Sequence, residues 1–152
     1  MAAVVGVVAP AQSASTVSFR LVGRGRPLPV RIDSGSCPQG RTAIAIAAAR
    51  SRVRIGTAHV CVLTIQRTDD ANGNLRRIVQ TVLEKDSLPG GEIVSRQKQS
   101  FLFASDKRHS MASFRGHVVH GMRRYAHAKG TVSGGGPTVD GVADWTIVIR
   151  LR

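Results

Sequence analysis

Apolar and polar residues alternate along almost the whole of this chain. In the closing stretch "VDGVADWTIVIRL", Ala143, Trp145, Ile147, Ile149 and Leu151 fall on one parity, opposite Asp144, Thr146, Val148 and Arg150. That is the mark of a strand with one buried face. "STVSFRLVG" repeats it, with Val17, Phe19 and Leu21 against Ser18 and Arg20. "HVCVLTIQRT", "LRRIVQTVLEKD", "EIVSRQKQSFLFAS" and "MASFRGHVVHG" read as further strands. In "RTAIAIAAARSRVRIG" the alanines suit a helix, yet isoleucine and alanine alternate and small residues suit a tightly curved strand, so it is read as β.

The connections carry turn chemistry. "DDANGN" contains an Asn-Gly hairpin signal, and "LPGG" and "SDKRHS" separate the next strands. "RGRPLPVRIDSGSCPQG" is read as a long Pro/Gly/Ser connection, since dense prolines do not suit a central strand. Three glycines, Gly134 to Gly136, either cradle a phosphate or turn the chain. A phosphate loop needs a following helix, and nothing after Gly136 looks helical, so "GGGP" is read as the loop of the last hairpin. Seven or eight evenly spaced strands without a long helix predict an all-β fold, a sandwich or a barrel. Closure removes sheet edges, and Gly116, Gly121 and Gly130 suit the bends of a small barrel, so the expectation is a closed antiparallel eight-stranded β-barrel.

Length and composition fit this picture: 152 residues make one domain with a real core, and 42% apolar with 20% charged residues is neither a disordered chain nor a membrane protein. The formal net charge of +13, from 18 arginines and 4 lysines against 9 acids, favours polyanions. The arginines are spread from Arg20 to Arg152 and aromatics are only 4%, which speaks against dedicated nucleic-acid recognition and for weak, nonspecific polyanion binding.

At the N-terminus, an apolar run from Ala2 to Ala9 precedes Ala9-Pro10-Ala11, a small-x-small cleavage form. The alternative is a first strand made of "AAVVGVV". The favoured expectation is a signal-peptide remnant over 1–14, a mature start near Gln12 or Ser15, a single barrel domain over 15–152, and secretion without an integral membrane segment. Cys37, in a turn-rich loop, and Cys61, in a strand, would most simply pair in an oxidising compartment, the alternative being two unrelated buried thiols. No metal or other cofactor is expected, because neither cysteine has a second ligand at zinc spacing and the histidines form no HxxxH or HExxH.

"FRGHVVHGMRRYAHAKGTVSGGG" resembles the closing half of the allene oxide cyclase and dirigent barrel superfamily, where a "GTGRYAGARG"-like segment recurs. Gly121, Arg124, Tyr125, Ala126, Ala128 and Gly130 keep that order, with Arg-Tyr-Ala-x-Ala-x-Gly read as a strand. The chain is most similar to small exported bacterial members. The resemblance implies a calycin-like barrel able to hold a hydrophobic ligand, and a homo-oligomer, dimer or trimer. It transfers no catalytic residue. Plant allene oxide cyclases use an early-strand glutamate with an asparagine, and dirigent proteins use pocket aspartates with an arginine, whereas "STVSFRLVG" carries no carboxylate.

Strand parity then nominates an interior. Phe114, Gly116 and Val118, with Phe101, Phe103, Ala126, Ala128, Trp145 and Ile147, should face inward, opposite Arg115, His117, His127 and Lys129. Ser95, Gln97 and Gln99 share the parity of Phe101 and could orient a guest; Tyr125 and Glu84 are the other polar candidates. Tyr125 is otherwise a packing residue, and Glu84 otherwise a rim carboxylate paired with a surface arginine. Facing a cavity, Glu84 would have a raised pKa and serve as an acid or base. Three functions follow: a secreted barrel binding a lipophilic small molecule, a cyclase or isomerase acting by confinement, or a cationic polyanion- or wall-binding protein.

Overall fold

The computed structural model describes residues 17–30 and 37–152, the side chains of 26–30 excepted. The expected signal segment over 1–14 and the mature start therefore lie outside the described residues. Eight strands follow in chain order: β1 (Val17–Val30), β2 (Arg41–Ala48), β3 (Arg54–Asp69), β4 (Leu75–Leu88), β5 (Gly91–Phe103), β6 (His109–Arg123), β7 (Gly130–Val139) and β8 (Val142–Leu151). Each is antiparallel to the next, and β8 returns to β1 from Val17↔Leu151 to Gly25↔Ala143. The fold is the expected closed antiparallel eight-stranded barrel, and the ambiguous "AIAIA" stretch is strand β2. Among the described residues no helix is long and apolar enough to cross a membrane. Outward positions carry Arg20, Arg77, Arg96, Lys98, Arg115 and Arg150, the reverse of the apolar band a barrel in lipid presents.

Three local expectations are corrected. First, β1 does not end before "RGRPLPV": it shifts register between Arg24 and Leu28 and continues as Leu28↔Ala43, Pro29↔Thr42 and Val30↔Arg41. Beyond Gly25 it pairs with β2 alone, so the prolines sit in an edge segment, where proline is tolerated. Second, residues 124–127 form the turn between β6 and β7 rather than a strand, with Tyr125, Ala126 and Ala128 N–H groups bonded to the carbonyls of Met122, Arg123 and Tyr125. Four residues of apparent alternation are too few to separate a strand from a turn.

Third, the glycine triplet is not a loop. Gly134, Gly135 and Gly136 lie inside β7, and the hairpin turns at Asp140-Gly141, whose φ angles of 51° and 77° make the positive-φ turn that Asp-Gly favours. A Cβ on Gly134 would lie 2.0 Å from the Thr146 carbonyl oxygen, and one on Gly135 2.2 Å from that of Ala112. Gly135 and Gly136 also hold φ of 150° and 152°. The glycines let β7 press between β6 and β8, which strengthens the architectural reading while moving it from turn to strand. Gly116, Gly121 and Gly130 likewise face neighbouring carbonyls too closely for a Cβ.

The interior is filled at one end. Leu21, Ile46, Ile93, Val132, Ile149 and Leu151 form a continuous buried cluster, capped by Tyr125, whose ring meets Phe19 edge-on and whose hydroxyl donates to the Pro89 carbonyl at 3.0 Å. A separate cluster of Val60, Val62 and Val82 lies on the β3–β4 wall. The Cys37–Cys61 disulfide ties the segment before β2 to β3, with a Cα–Cα distance of 5.2 Å. The Gln39 N–H donates to Val62 and the Val62 N–H to Gly40 beside it.

Candidate functional site

Alternation on β4 and β5 aims a polar stripe at the barrel axis. On β4 the inward parity is Ile78, Gln80, Val82, Glu84, Asp86 and Leu88; on β5 it is Ile93, Ser95, Gln97, Gln99, Phe101 and Phe103. The register sets Glu84 opposite Ser95, Val82 opposite Gln97 and Gln80 opposite Gln99. The amides then form a directed chain. Gln80 Nε2 donates to Gln99 Oε1 at 2.8 Å, and Gln99 Nε2 donates both to Glu84 Oε2 and to Gln97 Oε1 at 3.2 Å. Gln97 Nε2 donates to Ser95 Oγ at 2.9 Å. Glu84 is only 5% exposed and is not the arginine-paired rim carboxylate that its sequence neighbourhood suggested. Strand β4 runs on to Leu88, so Glu84 lies within the strand and not at its end.

Asp86 is the second acid on this face and is fully buried. It stands across from Ala58 on β3 and Ile93 on β5, and neither carboxylate oxygen meets a donor among the described residues. Burial pushes its carboxyl well above the ordinary carboxylate range, and the charge of Glu84 and a hydrogen bond to it push the same way. Glu84 is raised too, again by burial, but hydrogen bonds from Gln97, Asp86 and Gln99 oppose the rise. Both acids of this face are thus held above the ordinary carboxylate range, Asp86 the further, and the Gln99 amide donor ends on Glu84.

Above Glu84 the barrel is hollow. A cavity of about 630 Å³ has Glu84, Gln80 and Gln99 at its polar side and Phe101, Phe103, Phe114 and Trp145 as its aromatic wall; Val60, Ile44 and Ile147 close it below, with Thr42, Ser110, Thr138 and Gly141 toward the loops. Phe101, Phe114 and Trp145 touch one another at centroid separations of 5.2–6.2 Å and interplanar angles of 55–72°. The Trp145 indole Nε1 donates to Thr138 Oγ1 at 3.0 Å, which fixes the ring. The volume lies in the range of small-molecule sites, and an apolar lining with a few convergent polar groups is their usual composition.

Of the residues nominated from sequence, Glu84, Gln99, Phe101, Phe114 and Trp145 meet in this cavity, and Gln97 supports it from behind Gln99. Tyr125 and Ala128 do not: they flank a separate hollow with Phe19 and Leu151 at the filled end. Gln80 and Asp86 were missed. Their signal was the shared even parity with Glu84, obscured because the opposite parity of β4 also mixes apolar and polar residues, Val79 and Leu83 with Arg77 and Lys85. Among the described residues no group of three His, Cys, Asp or Glu is placed to hold a metal ion.

An outer groove of about 670 Å³ lies where β1 parts from β8, but its charged lining is engaged with itself, Arg24 and Arg52 both reaching Asp144. In the interior cavity, by contrast, the buried Glu84 and Gln99 converge with an apolar wall. No family model, curated protein or solved structure matches the chain, so what the cavity does rests on its own chemistry.

Proposed function

We propose that the protein binds a lipophilic small molecule inside the open half of its barrel. The observation that carries this reading is the cavity of about 630 Å³ between the Phe101–Phe114–Trp145 wall and the Glu84–Gln99–Gln80 stripe. Polar side chains there weaken the core, so a guest is the economical explanation of both the space and the polarity. The resemblance to allene oxide cyclase and dirigent barrels supports the same reading. A Cys37–Cys61 disulfide supports an extracytoplasmic site of action.

Trp145 is the sole tryptophan and lines the cavity, so it reports occupancy. Titration with N-phenyl-1-naphthylamine, a neutral lipophile, should quench it saturably and equally at low and high salt, because burial of apolar surface is not screened by ions. Val60→Phe, beside Glu84, should abolish the response by filling the space. Binding that persists in the filled variant, or that vanishes with salt, moves the explanation to the cationic surface. That surface reading has its own support: Lys98 stands opposite Arg115, and Arg96 opposite His117, on the outer face of β5 and β6.

A second reading, an isomerase or cyclase, is favoured by one feature, the Glu84–Asp86 pair. Two buried acids with raised carboxyls, Glu84 lining the cavity and Asp86 two residues on along the same face, have the parts for general acid–base work, and confinement would shape the substrate. Turnover lost in Glu84→Gln while the naphthylamine still binds would establish chemistry beyond binding.

A further inference from the structure

We infer that the cavity selects lipophilic cations, holding a protonated amine against Glu84 with its apolar body on the Phe101–Phe114–Trp145 wall. This rests on the reading of the cavity as a small-molecule site and names the class of guest.

The polar inventory of the cavity is one-signed. No lysine, arginine or histidine lines it, and no ion pair among the described residues includes Glu84 or Asp86. The amide donors nearest the guest are already directed: Gln80 gives to Gln99, and Gln99 gives to Glu84 and Gln97. Gln80 keeps one free N–H and the Thr42, Ser110 and Thr138 hydroxyls stand toward the loops, but the one charged group in the lining is the Glu84 acid, so a guest carrying a carboxylate or phosphate finds no cation there. A buried carboxylate without a cation is an unfavourable arrangement, and a guest ammonium relieves it with a charge-assisted hydrogen bond.

The aromatic wall has the same preference. Phe101, Phe114 and Trp145 line the cavity in T-shaped and tilted contact with one another, and a cation within about 6 Å of a ring face is attracted while an anion is repelled. The outer surface has the opposite sign, with a formal net charge of +13. Nonspecific association with the exterior would therefore rank ligands anion first, and the cavity ranks them cation first. The order of affinities thus identifies where binding occurs.

The test compares three probes of equal chain length at pH 7, n-decylamine, n-decanol and decanoate, by Trp145 fluorescence titration. The amine, whose ammonium is fully protonated at that pH, should bind about tenfold or more tighter than the alcohol, and decanoate weakest. Glu84→Gln, close to isosteric, should erase the amine's advantage, bringing its affinity down to that of decanol, which still binds. Phe101→Leu should narrow the amine-to-alcohol ratio while preserving most of the alcohol affinity, and it tests the wall if the Glu84 variant does not fold. Equal binding of amine and alcohol, tightest binding of decanoate, or an amine preference that survives Glu84→Gln overturns the inference while leaving the cavity reading intact. Failure of all three probes to bind removes both.

Discussion

The two ends of the barrel are built from the same strands with the same inward parity, yet one is solid and the other hollow. At the filled end Leu21, Ile46, Ile93 and Ile149 interdigitate and Tyr125 caps them. At the open end the equivalent positions hold Thr42, Gln80, Gln99 and Ser110, with glycine backbone at Gly134 and Gly136, and the large rings stand along one wall. The contrast is chiefly one of side-chain volume and polarity, with the β1–β8 ladder ending at Gly25 on the way to the open end. Closing the barrel needs only the filled end. The open end keeps polar groups that lower stability, which marks it as the half shaped for something other than folding.

If that division is right, the largest loss of stability should come from the filled end. Ile149→Ala should cost about 2–5 kcal/mol in denaturant unfolding, as deletions in a close-packed core do. Phe103→Ala, on the half-exposed rim of the cavity, should cost clearly less. Equal losses would mean that the open half is packed as tightly as the other.

The disulfide comes next. It fastens the segment before β2 to β3 beside Val60 and Val62, where little core supports the wall. Replacing both cysteines by serine should lower stability by about 3–4 kcal/mol, from the loop-closure entropy of a 24-residue separation. It should also raise amide exchange on β2 and β3 before it does so on β8.

Gly135→Ala should cost on the order of 1–3 kcal/mol, because the new Cβ would meet the Ala112 carbonyl and the φ of 150° suits no side chain. Thermal unfolding measures it. A neutral result would mean that β7 does not approach its neighbours as closely as described.

The smallest effect is a pH dependence, and its sign is opposite to that of an ion-paired acid. Asp86 has a raised carboxyl in the folded state, so the folded protein holds a proton that the unfolded chain releases. Its contribution is most favourable below the ordinary carboxylate value of 3.8 and is lost as pH rises through the folded value. Asp86→Asn removes that loss. The melting temperature of the variant should rise relative to the parent as pH increases from 4 to 8, and a gap that shrinks over that range would show Asp86 ionised and stabilised in the fold.

The contrast between the two ends also explains what was legible in the sequence. Continuous alternation such as that of Ala143 to Leu151 identified the strands and the face each buries, because a residue pattern of period two has one solution once a face is buried. The candidate site was half legible. Phe101, Phe114 and Trp145 announced themselves by parity, but Asp86 did not, since a fully buried acid is rare enough that its apolar neighbours in space must be known first. Ala128 and Tyr125 were drawn into the pocket by extending a strand through a turn. The glycine triplet misled for a related reason: glycine marks both a turn and a close backbone approach, and only the position of Asp140-Gly141 distinguishes them.

The most direct measurement of whether the open half holds a guest is a crystal structure of the protein grown with N-phenyl-1-naphthylamine. Density for the probe should lie between the rings of Phe101, Phe114 and Trp145 and the carboxylate of Glu84, with the filled end around Ile93 and Ile149 unchanged. Side chains collapsed into that space, or a probe bound only in the outer groove by Arg24 and Asp144, would contradict the account.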